Sequence, residues 1–400
     1  MGAQHPAALS LPESGGAARL VVHVVDALDT AQAEHGLLNL IRHLPPGRYR
    51  HAVVCLHDRG GCEGEMREHG VEIVNLHKGV GRDPLYYVRM FGVLRALRPD
   101  LVHTRNGTGL PAQAVAALAG VRLRVHAEHG RATAHGGVPA RILRRLLCPL
   151  IDHFIAVSGD LEQWLIESVG AEPARVSQIA NGVDTVQFHP RLGPSAAVGP
   201  PGFMRDGVFV VGSVGRMDDP ANHTTLVEAF LRLIASPHPA HQRLRLLLVG
   251  DGPARTECQA LLHRAGAAAR AWLPGDRADI PQLLRAMDLF VLTSLAEDRS
   301  HAILQAMATG LPVVASAVGG NTELVHPGFT GILVPPMATD LLASAIADYC
   351  RIPELATRHG ARARSQVIAR HSMPAMARDY LAVYDALTGS EPPVRMGRVR

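Results

Sequence analysis

The chain has 400 residues, 47% hydrophobic and 4% aromatic, enough for two domains with cores packed by Val, Leu, Ile and Ala. Its formal charge of +4, from 40 basic and 36 acidic residues, is mild, so most arginines are expected on the solvated surface and no nucleic-acid partner is expected. Five scattered cysteines, none at metal-ligand spacing, fit a reduced cytosolic compartment, and no run of about eighteen apolar residues is present to span a bilayer.

Met1 to Ala18 lacks a basic segment followed by an apolar run, so it reads as a disordered leader and not a secretory signal. Leu20-Val-Val-His-Val-Val25 is continuously apolar, as a central parallel strand buried on both faces must be. A helix is expected from about Ala33 to His43. Strands follow at Ala52–Leu56, Val71–Leu76, Asp100–Thr104, Leu123–Glu128 and Phe154–Val157, with a helix near Leu110–Ala119. The alternation implies a doubly wound parallel sheet, whose ligands sit beyond the carboxyl ends of the strands. Arg191 to Gly202 is rich in Pro and Gly and reads as a linker. A second strand-helix series starts at Val208–Val211 and continues through Leu244–Val249, Asp288–Thr293, Val313–Ser316 and Gly331–Val334. The last helix is expected at about Met373–Leu387, and Ser390 to Arg400 is a polar tail.

Five runs carry the chemistry. Val211-Gly-Ser-Val-Gly-Arg-Met217 ends a strand with Gly215 and Arg216. Gly250-Asp-Gly-Pro253 is a turn that follows the strand Leu244–Val249. Ser294 to Gly320 reads as loop, helix, Gly-Leu-Pro turn, strand and Gly-Gly loop, with Gly310 at the left-handed position past the helix end. Val125-His-Ala-Glu-His-Gly-Arg131 places His129 and Arg131 at a strand's carboxyl end. Asp26 to Gly36 forms the first strand-to-helix loop, in which Glu34 reads equally as an ordinary first-turn helix carboxylate. The turns at Val157–Asp160 and Ile179–Thr185 contribute Gly and Asn mainly as backbone devices.

Over roughly residues 19–389 these runs resemble the family-4 retaining glycosyltransferases, α/β proteins of the GT-B fold with two doubly wound Rossmann-like domains facing a central cleft. The runs Glu-His-Gly-Arg, Asn-Gly-Val-Asp-Thr, Val-Gly-Arg-Met and Ala-Met-Ala-Thr-Gly-Leu-Pro-Val-Val-Ala are most similar to exosortase-associated (PEP-CTERM) exopolysaccharide sugar transferases. The resemblance implies an acceptor-side domain over 19–190, a linker at 191–206, a nucleotide-sugar domain over 207–371 and a helix at 372–389 returning to the first domain. It implies donor contacts from Gly215, Arg216, Gly250, Gly252, Glu297, Ser300, His301, Ala302 and Gln305. Acceptor-side contacts would come from Glu34, Gly36, His129 and Arg131, and the catalytic set would be His129, Arg216 and Glu297. The donor would be a nucleotide diphosphate sugar, with no metal or other cofactor, and the acceptor a glycan or lipid-linked glycan.

Five residues depart from the family pattern. Ala221 stands where the family has a Lys that joins Arg216 on the donor diphosphate. Gln305 replaces a Glu that binds the ribose diol, and an amide accepts at only one oxygen. Ala31 and Gln32 replace a Gly-Gly pair, and Asp298 replaces a small residue beside the diphosphate. His223 and Arg299 are the side chains that could substitute for the missing charge. The expectation is a family-4-like protein of cell-surface polysaccharide synthesis with an eroded donor site and impaired or lost catalysis, acting through a polysaccharide-assembly partner; the alternative is an active retaining transferase. The basic, apolar segment Arg141–Leu147 reads either as a plain surface helix or as a peripheral contact with the inner membrane.

Overall fold

The computed structural model describes residues 18–28, 32–57, 61–79, 83–129, 137–193, 198–297 and 300–389, with the backbone alone described at 32–35, 108 and 137–139. Outside the described residues lie 1–17 of the expected leader, the tail 390–400, and Ala31, Arg131, Asp298 and Arg299; the side chains of Gln32 and Glu34 are likewise undescribed.

The first sheet holds β1 (Arg19–Val25), β2 (Tyr49–Cys55), β3 (Glu72–Asn75), β4 (Leu101–Arg105), β5 (Leu123–Glu128), β6 (His153–Ala156) and β7 (Val176–Gln178). Their spatial order is β3-β2-β1-β4-β5-β6-β7. The second sheet holds β8 (Phe209–Val214), β9 (Leu244–Val249), β10 (Ala271–Gly275), β11 (Leu289–Leu292), β12 (Val313–Ser316) and β13 (Gly331–Val334), in the order β10-β9-β8-β11-β12-β13. Every pairing is parallel, so the chain forms two doubly wound α/β domains. The uninterrupted apolar runs follow from burial on both faces: Val21, Val22 and Val24 of β1 are fully buried, and so are Leu246, Leu247 and Leu248 of β9.

Two strands are absent from the sequence-based series. β7 has only three residues, too few for a periodicity. β10 contains Pro274 and is half-buried over most of its length, the composition of an edge strand.

Each sheet reverses its strand order once, between β1 and β4 in the first and between β8 and β11 in the second. Crossovers leave such a point toward opposite faces and open a crevice at the carboxyl ends. The helix Pro353–Arg370 packs Ala363 and Val367 into the second core with Ile303 and Leu304. The chain then crosses: Ser372 caps the helix Met373–Thr388, whose Met376, Tyr380 and Tyr384 pack on Val21, Leu101 and Val125 of the first sheet. Polar pairs pin it there, with Tyr49 donating to Asp385 at 2.8 Å and the Tyr384 hydroxyl 2.8 Å from Nδ1 of His103.

Candidate active site

The second-domain wall is built from loops that leave β8, β9 and β11. Gly215 N–H donates to the Val249 carbonyl at 3.0 Å and Met217 N–H to the Asp251 carbonyl at 2.9 Å, zipping the two turns together. Glycine is required at 250 because a Cβ would overlap the Gly215 carbonyl, and at 252 because it would overlap the Met217 carbonyl. Arg216 emerges from this junction with its side chain 87% exposed, Nε lying 3.5 Å from Oδ2 of Asp218. Asp218 also caps the following turn, accepting from Ala221 N–H at 3.2 Å. The Thr293 hydroxyl donates to the carbonyls of Ala221 and Asn222 at 3.0 and 2.9 Å, fixing that turn to the end of β11.

Glu297 follows β11. Its carboxylate accepts from the Ser294 hydroxyl at 3.2 Å, and its carbonyl accepts from Gly320 N–H at 3.0 Å. A Cβ at Gly319 would overlap that same carbonyl, so the Gly-Gly loop is what lets the Glu297 segment lie flat against it. The helix His301–Ala308 begins next, N-capped by Ser300, whose hydroxyl accepts from Ile303 N–H at 3.2 Å. Gln305 sits half-buried on its second turn.

The first-domain wall rises from the ends of β4 and β5. Asn106 adopts a left-handed conformation (φ 55°), and its side-chain oxygen accepts from His129 N–H at 3.1 Å. Burial and then the charge of Arg105 push the His129 imidazole down to about 3, so the ring is neutral at physiological pH. Beneath it runs a buried polar chain. Gln113 donates to the Thr104 hydroxyl at 2.7 Å, which lies 2.7 Å from Nδ1 of His126, whose Nε2 lies 3.2 Å from Oε1 of Glu128. Arg144 Nε donates to the same oxygen at 2.7 Å. Burial alone would raise the Glu128 carboxyl, but His126 and Arg144 bring it down to about 2.

The two walls meet at Asn181. Its side-chain nitrogen is 3.0 Å from Nε2 of His301, at the start of the second-domain helix. Glu323 adds a second bridge, accepting from Gly159 N–H at 3.1 Å and from the Gln178 amide at 2.9 Å.

Two family models match the chain, one described as glycosyltransferase family 4 over residues 33–187 and one as glycosyl transferases group 1 over residues 208–351. The chain is glycosyltransferase family 4-like. An Escherichia coli UDP-Gal:α-D-GlcNAc-diphosphoundecaprenol α-1,3-galactosyltransferase is 29% identical over 66% of this chain and 70% of its own length. A GDP-mannose-dependent α-mannosyltransferase of Mycobacterium tuberculosis is 29% identical over 95% of each. Among solved structures, a Rickettsia africae glycosyltransferase aligns with a TM-score of 0.77 at 19% identity, covering 93% of this chain and 99% of its own. Anabaena HepE in complex with UDP aligns at 0.74 with 22% identity, covering 92% of this chain and all of its own. These likenesses identify the fold as GT-B.

Within this family-4-like frame the structure gathers Gly215, Arg216, Gly250 and Gly252 at one junction, and Glu297, Ser300, His301, Ala302 and Gln305 along the adjoining loop and helix. His129 and Gly36 lie on the opposite wall. Some readings of the sequence need correction. Asn181 is more than a backbone device, because its side chain joins the two domains. His223 cannot replace the missing cation: it is 1% exposed, and burial holds its imidazole down to about 4. Ser300 uses its hydroxyl as an acceptor for the helix cap and keeps its O–H as a donor. In the helix Gly137–Leu147, Arg144 turns inward to Glu128, whereas Arg141, Ile142, Leu143, Arg145 and Leu146 are exposed. No helix among the described residues is long and apolar enough to cross a membrane. Sequence reasoning also missed Arg105, a lone arginine ending β4 that is only 7% exposed.

Proposed function

We propose that this protein is a family-4 glycosyltransferase relative whose grip on a donor diphosphate is weakened, so that sugar transfer is slow or lost, and that it serves bacterial exopolysaccharide synthesis chiefly as a partner or regulator. The observation that carries this reading is the pairing of Arg216. The cation at the end of β8 faces Asp218 at 3.5 Å, and the position that would supply a second cation is Ala221, locked in a capped turn. Charge that builds on a leaving diphosphate needs donors aimed at it, and removal of one such contact costs about 2.7–4 kcal/mol. Gln305 lowers the affinity for a ribose diol further. We place the acceptor side at 19–190 and the donor side at 207–371, with the helix at 372–389 returning to the first domain, and we assign the nearest group as the exosortase-associated sugar transferases. Its partners in this reading are a lipid-linked glycan, a polysaccharide-assembly protein and the cytoplasmic face of the inner membrane, met through the exposed side of Gly137–Leu147.

A second reading is favoured by the intact glycine junction and the held Glu297: an active retaining transferase needing no metal. The anomeric C–O bond to the diphosphate would break as the acceptor oxygen bonds the same face, with the acceptor proton passing to the departing diphosphate oxygen. Donor calorimetry with a turnover assay separates the two. Binding in the micromolar range with transfer that disappears in Arg216→Ala supports the active enzyme; weak binding and no transfer support the impaired one.

A further inference from the structure

Arg105 occupies the reversal point of the first sheet, at the carboxyl end of β4. It is 7% exposed, its Nε has no hydrogen-bond partner, and no carboxylate among the described residues pairs with it. A guanidinium stays charged at any physiological pH and carries five N–H donors. Burying it unpaired is costly, and such groups persist where a ligand completes them. The neighbours do not neutralise it. His103 and His129 are kept uncharged by burial and, next, by Arg105 itself, while burial raises the Tyr380 phenol. Nε2 of His129 is also buried without a hydrogen-bond partner. On the helix side Gly36 lies against it, for an added Cβ there would meet Nη1 of Arg105 in ordinary contact at 3.9 Å, without a clash.

We infer that Arg105, with Nε2 of His129, forms an anion site beside Gly36 on the first-domain wall that takes a phosphate or diphosphate group. The planar fork suits phosphate oxygens, and the neutral imidazole can donate from Nε2. That group is carried either by a nucleotide donor or by a phosphate-linked acceptor; the site has the same chemistry for both. The inference rests on the cleft being the ligand site and does not require turnover, so it stands or falls separately from the question of catalysis.

The test is calorimetric titration of the full chain with inorganic pyrophosphate, UDP and geranyl diphosphate, in wild type, Arg105→Met, Arg105→Lys and Arg216→Ala. Pyrophosphate binding is expected to weaken at least about tenfold in Arg105→Met, the loss of one charge-assisted contact, and to be partly kept in Arg105→Lys. Loss of UDP binding in both Arg105→Met and Arg216→Ala assigns the group to the donor. Loss of geranyl diphosphate binding in Arg105→Met, with UDP unaffected, assigns it to an acceptor. Because Arg105→Met removes an unpaired buried charge, its melting temperature should equal or exceed that of wild type, which a purely structural arginine would not allow. The inference is overturned if Arg105→Met binds all three anions as wild type does, if wild type binds none, or if the variant melts well below wild type.

Discussion

The side-chain nitrogen of Asn181, in the first domain, lies 3.0 Å from Nε2 of His301, in the second. One residue therefore reports the position of one domain to the other. The start of the helix His301–Ala308 is thereby registered against the turn that follows β7.

Asn181→Leu should loosen that registration. Loss of a hydrogen bond between half-buried partners costs about 1 kcal/mol. The expected result is a small drop in melting temperature together with a weakened response to any ligand that spans the cleft. Equal melting and equal ligand response in Asn181→Leu and wild type would show that the contact is idle.

Arg144→Ala leaves the buried carboxylate of Glu128 without its guanidinium. Breaking one side of a buried pair costs about 3–5 kcal/mol. Urea denaturation should show that loss, and Glu128→Gln should be milder because an amide oxygen can still accept from Arg144, whose guanidinium keeps the Ala140 carbonyl and the Trp164 ring as neighbours. The reverse ranking would mean that the pair is not the anchor of this helix.

Acid should destabilise the fold in two stages. His51 and His223 are held at about 4 and His129 at about 3, each mainly by burial, against an ordinary 6.5. A depressed folded value means stability that is full above the unfolded value and is lost as pH falls below 6.5. Glu128, at about 2 against an ordinary 4.5, adds a second loss below pH 4.5, on the order of 3 kcal/mol in all. Melting temperature should fall steadily from pH 6.5 downward, and a flat profile between pH 7 and 5 would contradict the buried neutral imidazoles.

Gly250→Ala drives a Cβ into the Gly215 carbonyl at a position with φ 131°. The strain should cost on the order of 3 kcal/mol by chemical denaturation and separate the turn that carries Arg216 from its neighbour. An alanine tolerated without loss would mean that the junction is loose.

Much of this was legible in the sequence, because apolar runs of four to seven residues fix buried parallel strands without knowledge of the tertiary fold. β5, β9, β12 and β13 fall on the expected residues, and Gly310 has the left-handed φ of 80° foreseen for it. What escaped depends on contacts between distant residues. Arg105 in sequence is one arginine among many, and only the fold buries it. Asn181 belongs to a turn whose composition is explained by backbone geometry alone, which hid the use of its side chain. His223 in sequence is a candidate cation, and only the fold shows that burial keeps its imidazole uncharged.

Calorimetry of the wild-type chain with UDP-glucose, UDP-galactose and GDP-mannose, run beside a turnover assay and beside Ala221→Lys/Gln305→Glu, tests the weakened donor grip most directly. Wild type should bind each donor with Kd of about 1 mM or weaker and show no transfer, while the double variant gains roughly 10–100-fold in affinity from the restored charge-assisted contacts. Micromolar donor binding by wild type, with turnover abolished in Arg216→Ala, would contradict it.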